Sequence, residues 1–172
     1  RPHPAIIGPA FTAVAAFTWL AVRLPTPFAA VQGRRVPANE RPIFLEEGVQ
    51  TTVGVYRDPM GRHVMYLDGL HQANDTDAMV QVHRQIGLLP AAIHPEPRKA
   101  LVIGLGGGVT GGALGLVEGL SLDIVELSDS VVRAAGWFAH VNGNVSNRPN
   151  VRPRADDVRN HLFTTRERYD IV

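Results

Sequence analysis

Four glycines and three carboxylates form the pattern in this chain most able to do chemistry. Gly104, Gly106, Gly108 and Gly111 fall in the run LVIGLGGGVTGGAL at 101–114, where a strand-type apolar segment enters a glycine-crowded turn and an alanine/leucine segment leaves it. A backbone without Cβ atoms can turn through positive φ and let a ligand come close. If the outgoing segment is a helix, its unpaired N–H groups and positive dipole end face the same spot. That is the chemistry of a nucleotide or nucleoside cradle at the carboxyl end of a first strand. Glu126 stands 22 residues after Gly104, closing the next strand-type run at 122–127. An acidic side chain there can accept hydrogen bonds from two ribose hydroxyls.

The glycines fit two templates. Gly106-x-Gly108-x-x-Gly111 satisfies the dinucleotide fingerprint, and Gly104-x-Gly106-x-Gly108 fits the looser adenosyl-nucleoside turn. Asp156 and Asp157 follow a third short strand-type run at 151–154 and favour the second template. An adenosyl site places a carboxylate or amide at that point to read the adenine amino group, which a dinucleotide site does not require. One of the two aspartates also suits the N-cap of a helix over 156–164.

The elements that must position these residues are read from periodicity. Period-two runs at 43–47, 49–56 and 63–68, with a turn at Arg57-Asp58-Pro59-Met60-Gly61, predict a small antiparallel hairpin unit ending in Asp68-Gly69-Leu70-His71-Gln72. Apolar positions Met79, Val80, Val82, Ile86 and Leu89 predict an amphipathic helix over 76–89, broken at Pro90. After the glycine run the chain alternates strand and helix: a helix over 129–140, the strand at 151–154, the helix at 156–164 and a fourth strand from Tyr169 onward. Repeated βα units imply a parallel, doubly wound sheet.

Composition limits the alternatives. The 172 residues carry a formal net charge of +1 and no cysteine, which argues against a nucleic-acid partner and removes disulfides and thiolate metal sites. The seven histidines show no ligand-like spacing to one another or to a carboxylate, so no metal is expected. Residues 5–22 lack any charge, and as a helix they would extend about 27 Å, near the ~30 Å of a bilayer core. Trp19, followed by Arg23, Arg34 and Arg35, reads as a cytoplasmic flank. A membrane helix or its remnant is the expectation, with a buried soluble helix and a signal peptide as rival readings. Residues 24–42, with four prolines, read as a linker. The chain starts at Arg1 and stops where Tyr169-Asp170-Ile171-Val172 opens a strand, so it is expected to be a piece cut at both ends. The expected division is 1–41 as membrane helix and linker, 42–75 as hairpin unit and 76–172 as a Rossmann-like nucleoside-binding domain.

The order of these parts resembles the spermidine synthase (aminopropyltransferase) family. It runs from the hairpins through Asp68-Gly69-x-x-Gln72, a helix, and His94-Pro95-x-Pro97-Arg98-Lys99-x-Leu101-Val102-Ile103-Gly104. The likeness extends from about residue 49 to 172, and the apolar stretch in front looks like bacterial membrane-bound or transporter-fused members. The resemblance implies an α/β fold of the S-adenosylmethionine-dependent methyltransferase type. It implies an enzyme moving the aminopropyl group of decarboxylated S-adenosylmethionine, a co-substrate and not a resident cofactor, to putrescine or a related amine in polyamine biosynthesis. It carries Gln72 to the nucleoside or methionine-derived part, Gly104, Gly106 and Gly108 to the close approach, Glu126 to the ribose, Asp156 and Asp157 to adenine, and Asp77 to the diamine side. The family's catalytic aspartate would follow the strand begun at Tyr169, beyond Val172, so Asp170 is not that residue and the piece itself would be inactive. The implied partners are the adenosyl donor, the diamine, the bacterial inner membrane with the catalytic domain on its cytoplasmic side, and a second copy of the chain. Two departures stand out: Gly107 occupies the place where the family carries an aspartate, and Ala78, Gln81 and His83 surround Asp77 where it carries an acidic and tyrosine face. They keep open a methyltransferase on the same fold and a non-catalytic adenosyl-binding domain of a membrane protein. A nicotinamide dehydrogenase is the remaining reading.

Overall fold

Alternating apolar residues build two sheets that share one core. The computed structural model describes residues 4–23 and 35–172. The first sheet is antiparallel, in the order β1 (Arg41–Glu47), β2 (Thr52–Arg57), β3 (His63–Leu67) and β4 (Leu70–Asn74). Its strands put Val53, Val55 and Met65 on one face, against the main core, and Tyr56, Val64 and Tyr66 on the other, around Val36. That is the period-two pattern of a sheet covered on both sides.

β4 is a strand that the sequence reading missed, because it took residues 68–72 for the end of the hairpin unit. Asp68 and Gly69 both adopt positive φ, 50° and 77°, the conformation a two-residue hairpin turn requires. The Asp68 carboxylate locks this turn to β2, accepting from the Thr52 N–H and the Thr51 hydroxyl, each at 2.9 Å.

The second sheet is parallel, in the order β5 (Lys99–Ile103), β6 (Ser121–Glu126) and β7 (Val151–Ala155). Ile171 bridges Ala100 in parallel. Ala100 already pairs with Leu122 of β6, so Ile171 lies on the opposite edge of β5. The strand order therefore reverses at β5, and the carboxyl end of β5 is a topological switch point, where open α/β sheets bind their ligands. Phe138, Leu122, Ile124 and Val131 join Val53, Val55 and Met65 in a single buried cluster, so the two sheets pack on one another.

The helices depart from expectation in two places. α2 (Asp77–Ile93) runs through Pro90 instead of stopping before it. Pro90 forfeits the bond its missing N–H would make, but its carbonyl still accepts from His94 N–H at 3.0 Å and closes the last turn. Of the five apolar positions that marked this helix only Val80 is buried, while Gly87 lets the helix close onto α3 (Val109–Leu114) beside the Thr110 carbonyl. The single helix expected over 129–140 is α4 (Asp129–Ala134), a 3₁₀ turn (Ala135–Phe138) and α5 (Ala139–Asn142). Gly136, a poor helix former, lies at the interruption, and the tightened turn holds Phe138 fully buried. α6 (Val158–Thr164) follows β7.

Residues Pro4–Arg23 form helix α1. The membrane-spanning expectation is not borne out: among the described residues no helix is long and apolar enough to cross a membrane. Most of the expected linker, with Arg34, lies outside the described residues.

Candidate functional site

The glycine loop follows β5 directly, its course set by Gly104, Gly106 and Gly108 at φ 82°, 53° and 79°. At Gly104 and Gly106 an added Cβ would meet nothing within 4 Å. Open space lies over the backbone there, and the positive φ excludes most other residues. Gly108 differs: its missing Cβ points at the Asn142 side chain, 2.9 Å away, and at Val145. It is a packing glycine, not a wall of the cleft.

Glu126, at the end of β6, ties this loop in place. Its Oε2 accepts from the Leu105 N–H at 2.7 Å and its Oε1 from the Ser128 N–H at 3.0 Å. Each carboxylate oxygen keeps a second lone pair. Glu126 thus holds the loop and still presents acceptors to a ligand.

Two clefts meet along Gly104 and Glu126. The larger, about 410 Å³, is walled by Gln72 of β4, His83 and Ile86 of α2, Gly106 and Thr110. His83 Nδ1 lies 3.1 Å from the Thr110 hydroxyl, which closes the α2 side. The smaller, about 330 Å³, is bounded by Ile103, Leu127, Asp156, Asp157 and Arg159. Asp157 caps α6, accepting from Arg159 N–H at 2.9 Å, and also receives the Arg159 guanidinium. That guanidinium, with the backbone N–H, holds its carboxyl down to about 2. Asp156 is anchored by its own N–H to the Glu126 carbonyl at 2.9 Å and leaves its carboxylate near Asn160.

The structure therefore brings together Gln72, Gly104, Gly106, Glu126, Asp156 and Asp157 from four separate segments. Asp77 and Gly108 line neither cleft. Asp77 is exposed in the first turn of α2. Thr110 escaped the sequence reading, although its place inside the glycine run, as the second residue of α3, was a usable signal.

No protein-family model matches this chain, and no curated protein does. Among solved structures, a spermidine synthase in complex with the transition-state analogue AdoDATO matches with TM-score 0.68 and 21% identity, over 76% of this chain and 46% of that one. The spermidine synthase of Thermotoga maritima gives the same values. This chain has a spermidine synthase fold. A probable spermidine synthase from Corynebacterium glutamicum matches with TM-score 0.53 and 17% identity, over 70% of this chain and 47% of that one. The chain thus spans about half the length of the spermidine synthases it matches. An antiparallel sheet followed by a parallel sheet is the shared architecture; the order was implied by the resemblance read from the sequence, and the fourth antiparallel strand was not.

Proposed function

We propose that this chain is the adenosyl-binding part of a spermidine synthase-like aminopropyltransferase. The observation that carries the proposal is the pair of clefts meeting at Gly104 and Glu126, at the switch point of the parallel sheet. In this reading the nucleoside lies across the glycine loop, with its ribose on the free lone pairs of Glu126. Its adenine enters the smaller cleft beside Asp156 and Asp157, and the sulfonium end points into the larger cleft toward Gln72. The reaction is a one-step displacement. A neutral amine nitrogen attacks the carbon beside the sulfonium, the C–S bond breaks onto sulfur, methylthioadenosine leaves, and the new ammonium releases a proton to a base. The chain's own contribution is to hold the reacting carbon in line.

One observation favours a second reading. Among the described residues, Glu126 is the only carboxylate lining the larger cleft; Asp77 lies outside it, and His83, Ile86 and Thr110 form its α2–α3 wall. A dication is normally met by carboxylates. A methyltransferase or an adenosyl-binding module needs none there, and Gly107 leaves the loop without a charge that would repel the carboxylate of S-adenosylmethionine.

Calorimetry on the 172-residue chain tests both. Heat with decarboxylated S-adenosylmethionine or methylthioadenosine, abolished by Glu126→Ala, supports the proposal; no heat with either ligand, from protein folded by circular dichroism, overturns it. Tighter binding of S-adenosylmethionine than of its decarboxylated form favours the methyltransferase.

A further inference from the structure

Away from both clefts, three side chains distant in sequence converge on one point. His63 is the first residue of β3, Asp75 follows β4, and His140 lies in α5. Asp75 Oδ2 is 2.9 Å from His140 Nε2 and 3.3 Å from His63 Nδ1. All three donor atoms lie within 4.8 Å of one another.

The carboxylate is aimed and not merely nearby. Asp75 Oδ1 accepts from the His63 N–H at 2.9 Å, and the Asp75 N–H donates to the His63 carbonyl at 3.2 Å. These two bonds fix the aspartate across the β3–β4 edge and turn Oδ2 toward both imidazoles. The Asp75 side chain is only 5% exposed and that of His63 14%, while His140 is half exposed. Among the described residues His63 Nδ1 is buried without a hydrogen-bond partner, and Phe138 packs edge-on against its ring.

We propose that His63 Nδ1, Asp75 Oδ2 and His140 Nε2 bind one Zn²⁺ ion, with water in the fourth position. Two imidazoles and one carboxylate are a zinc donor set. Bonds of about 2.0–2.1 Å in a tetrahedron place donor atoms roughly 3.4 Å apart, close to the His63–Asp75 separation of 3.3 Å. The exposed His140 ring supplies the remaining adjustment. Each ligating imidazole presents one ring nitrogen to the ion and keeps its proton on the other. The exposed Arg57 guanidinium, 3.4 Å from His63 Nε2, turns away when that nitrogen carries the ring proton. The effect of the ion on the fold would be to brace it. It would clamp the β3–β4 edge to α5, whose Asn142 side chain donates to the Gly107 carbonyl at 3.0 Å, and so brace the glycine loop from behind.

The test uses the 172-residue chain, freed of metal by a chelator and titrated with Zn²⁺ at pH 7.5 by calorimetry, then with Co²⁺ by visible absorption. One equivalent should bind, Co²⁺ should give the intense d–d bands of a tetrahedral site, and Zn²⁺ should raise the melting temperature. His140→Gln, at an exposed position, should weaken binding beyond the ~10–100-fold that loss of an outer-shell partner costs. Asp75→Asn, which keeps an acceptor for the His63 N–H, should do the same, while His71→Gln should leave binding unchanged. No Zn²⁺ bound by the folded chain overturns the site, leaving Asp75 as a carboxylate shared by two imidazoles. Binding that survives both His140→Gln and Asp75→Asn overturns it equally.

Discussion

Asp123 and Glu126 sit on the same strand, three residues apart, and meet opposite fates. Asp123 is 1% exposed. Its carboxylate takes the Arg152 guanidinium at 2.8 Å and the Tyr169 hydroxyl at 2.9 Å, with Lys99 Nζ at 3.9 Å. Burial, reinforced by that hydrogen bond to the carboxylate, pushes the Tyr169 hydroxyl up to about 12. Among the described residues Glu126 meets no cation, only two backbone N–H groups, and it borders two clefts. A carboxylate surrounded by side-chain donors is committed to stability. One held by backbone donors, with lone pairs facing open space, still has acceptors to offer.

The comparison breaks first at Asp123. Asp123→Ala leaves Arg152 and Tyr169 without their buried partner and should cost about 3–5 kcal/mol in urea unfolding. A loss below about 1 kcal/mol, typical of a surface pair, would remove the contrast. Glu126→Gln should cost less stability, about 1.5–3 kcal/mol for altered bonds to a charged group, yet weaken methylthioadenosine more than tenfold by calorimetry. Stability loss with unchanged affinity would make Glu126 a structural residue like Asp123. Gly104→Ala meets no clash, so its expected cost of about 1–2 kcal/mol is the strain of a left-handed backbone. Its methyl should lower affinity as well, because it enters the clefts.

The smallest effect calibrates the series. Glu46 on β1 is held by side chains too, but in contact with water. The Arg133 guanidinium, helped by the Ser130 hydroxyl, lowers its carboxyl from 4.5 to about 2. A depressed folded value means that the contribution is full above pH 4.5 and is lost as the pH falls toward 2. The melting-temperature gap between the native chain and Glu46→Gln should therefore be constant from neutral pH down to about 5 and shrink below it. A gap that widened in acid would reverse the assignment.

Much of this was legible in one dimension. Strand alternation, the turn before β3, the glycine run and the spacing to Glu126 and Asp157 are local signals, and the structure follows them. The misses have local causes as well. β4 hid because its only announcement is the Asp68-Gly69 turn, and its residues Leu70, His71 and Gln72 are exposed. Pro90 reads as a helix end because it lacks an N–H, yet the helix carries it and continues to Ile93. Met79, Val82, Ile86 and Leu89 mark an apolar face, but burial belongs to the neighbour that arrives, and α3 closes on the Gly87 side.

By itself the sequence determined the order of elements, the open turn at Gly104 and Gly106, and the acid at the end of β6, because each depends on backbone conformation over a few residues. Only tertiary structure decided what those residues face. It turned Gly108 inward and left Asp77 outside the clefts. It surrounded Asp123 with partners from β5, β7 and the 165–172 segment, and it set His63, Asp75 and His140 around one point. The spacings between those three, 12 and 65 residues, match no local period. Their meeting is set by how two sheets pack across a shared core, which no window of sequence contains.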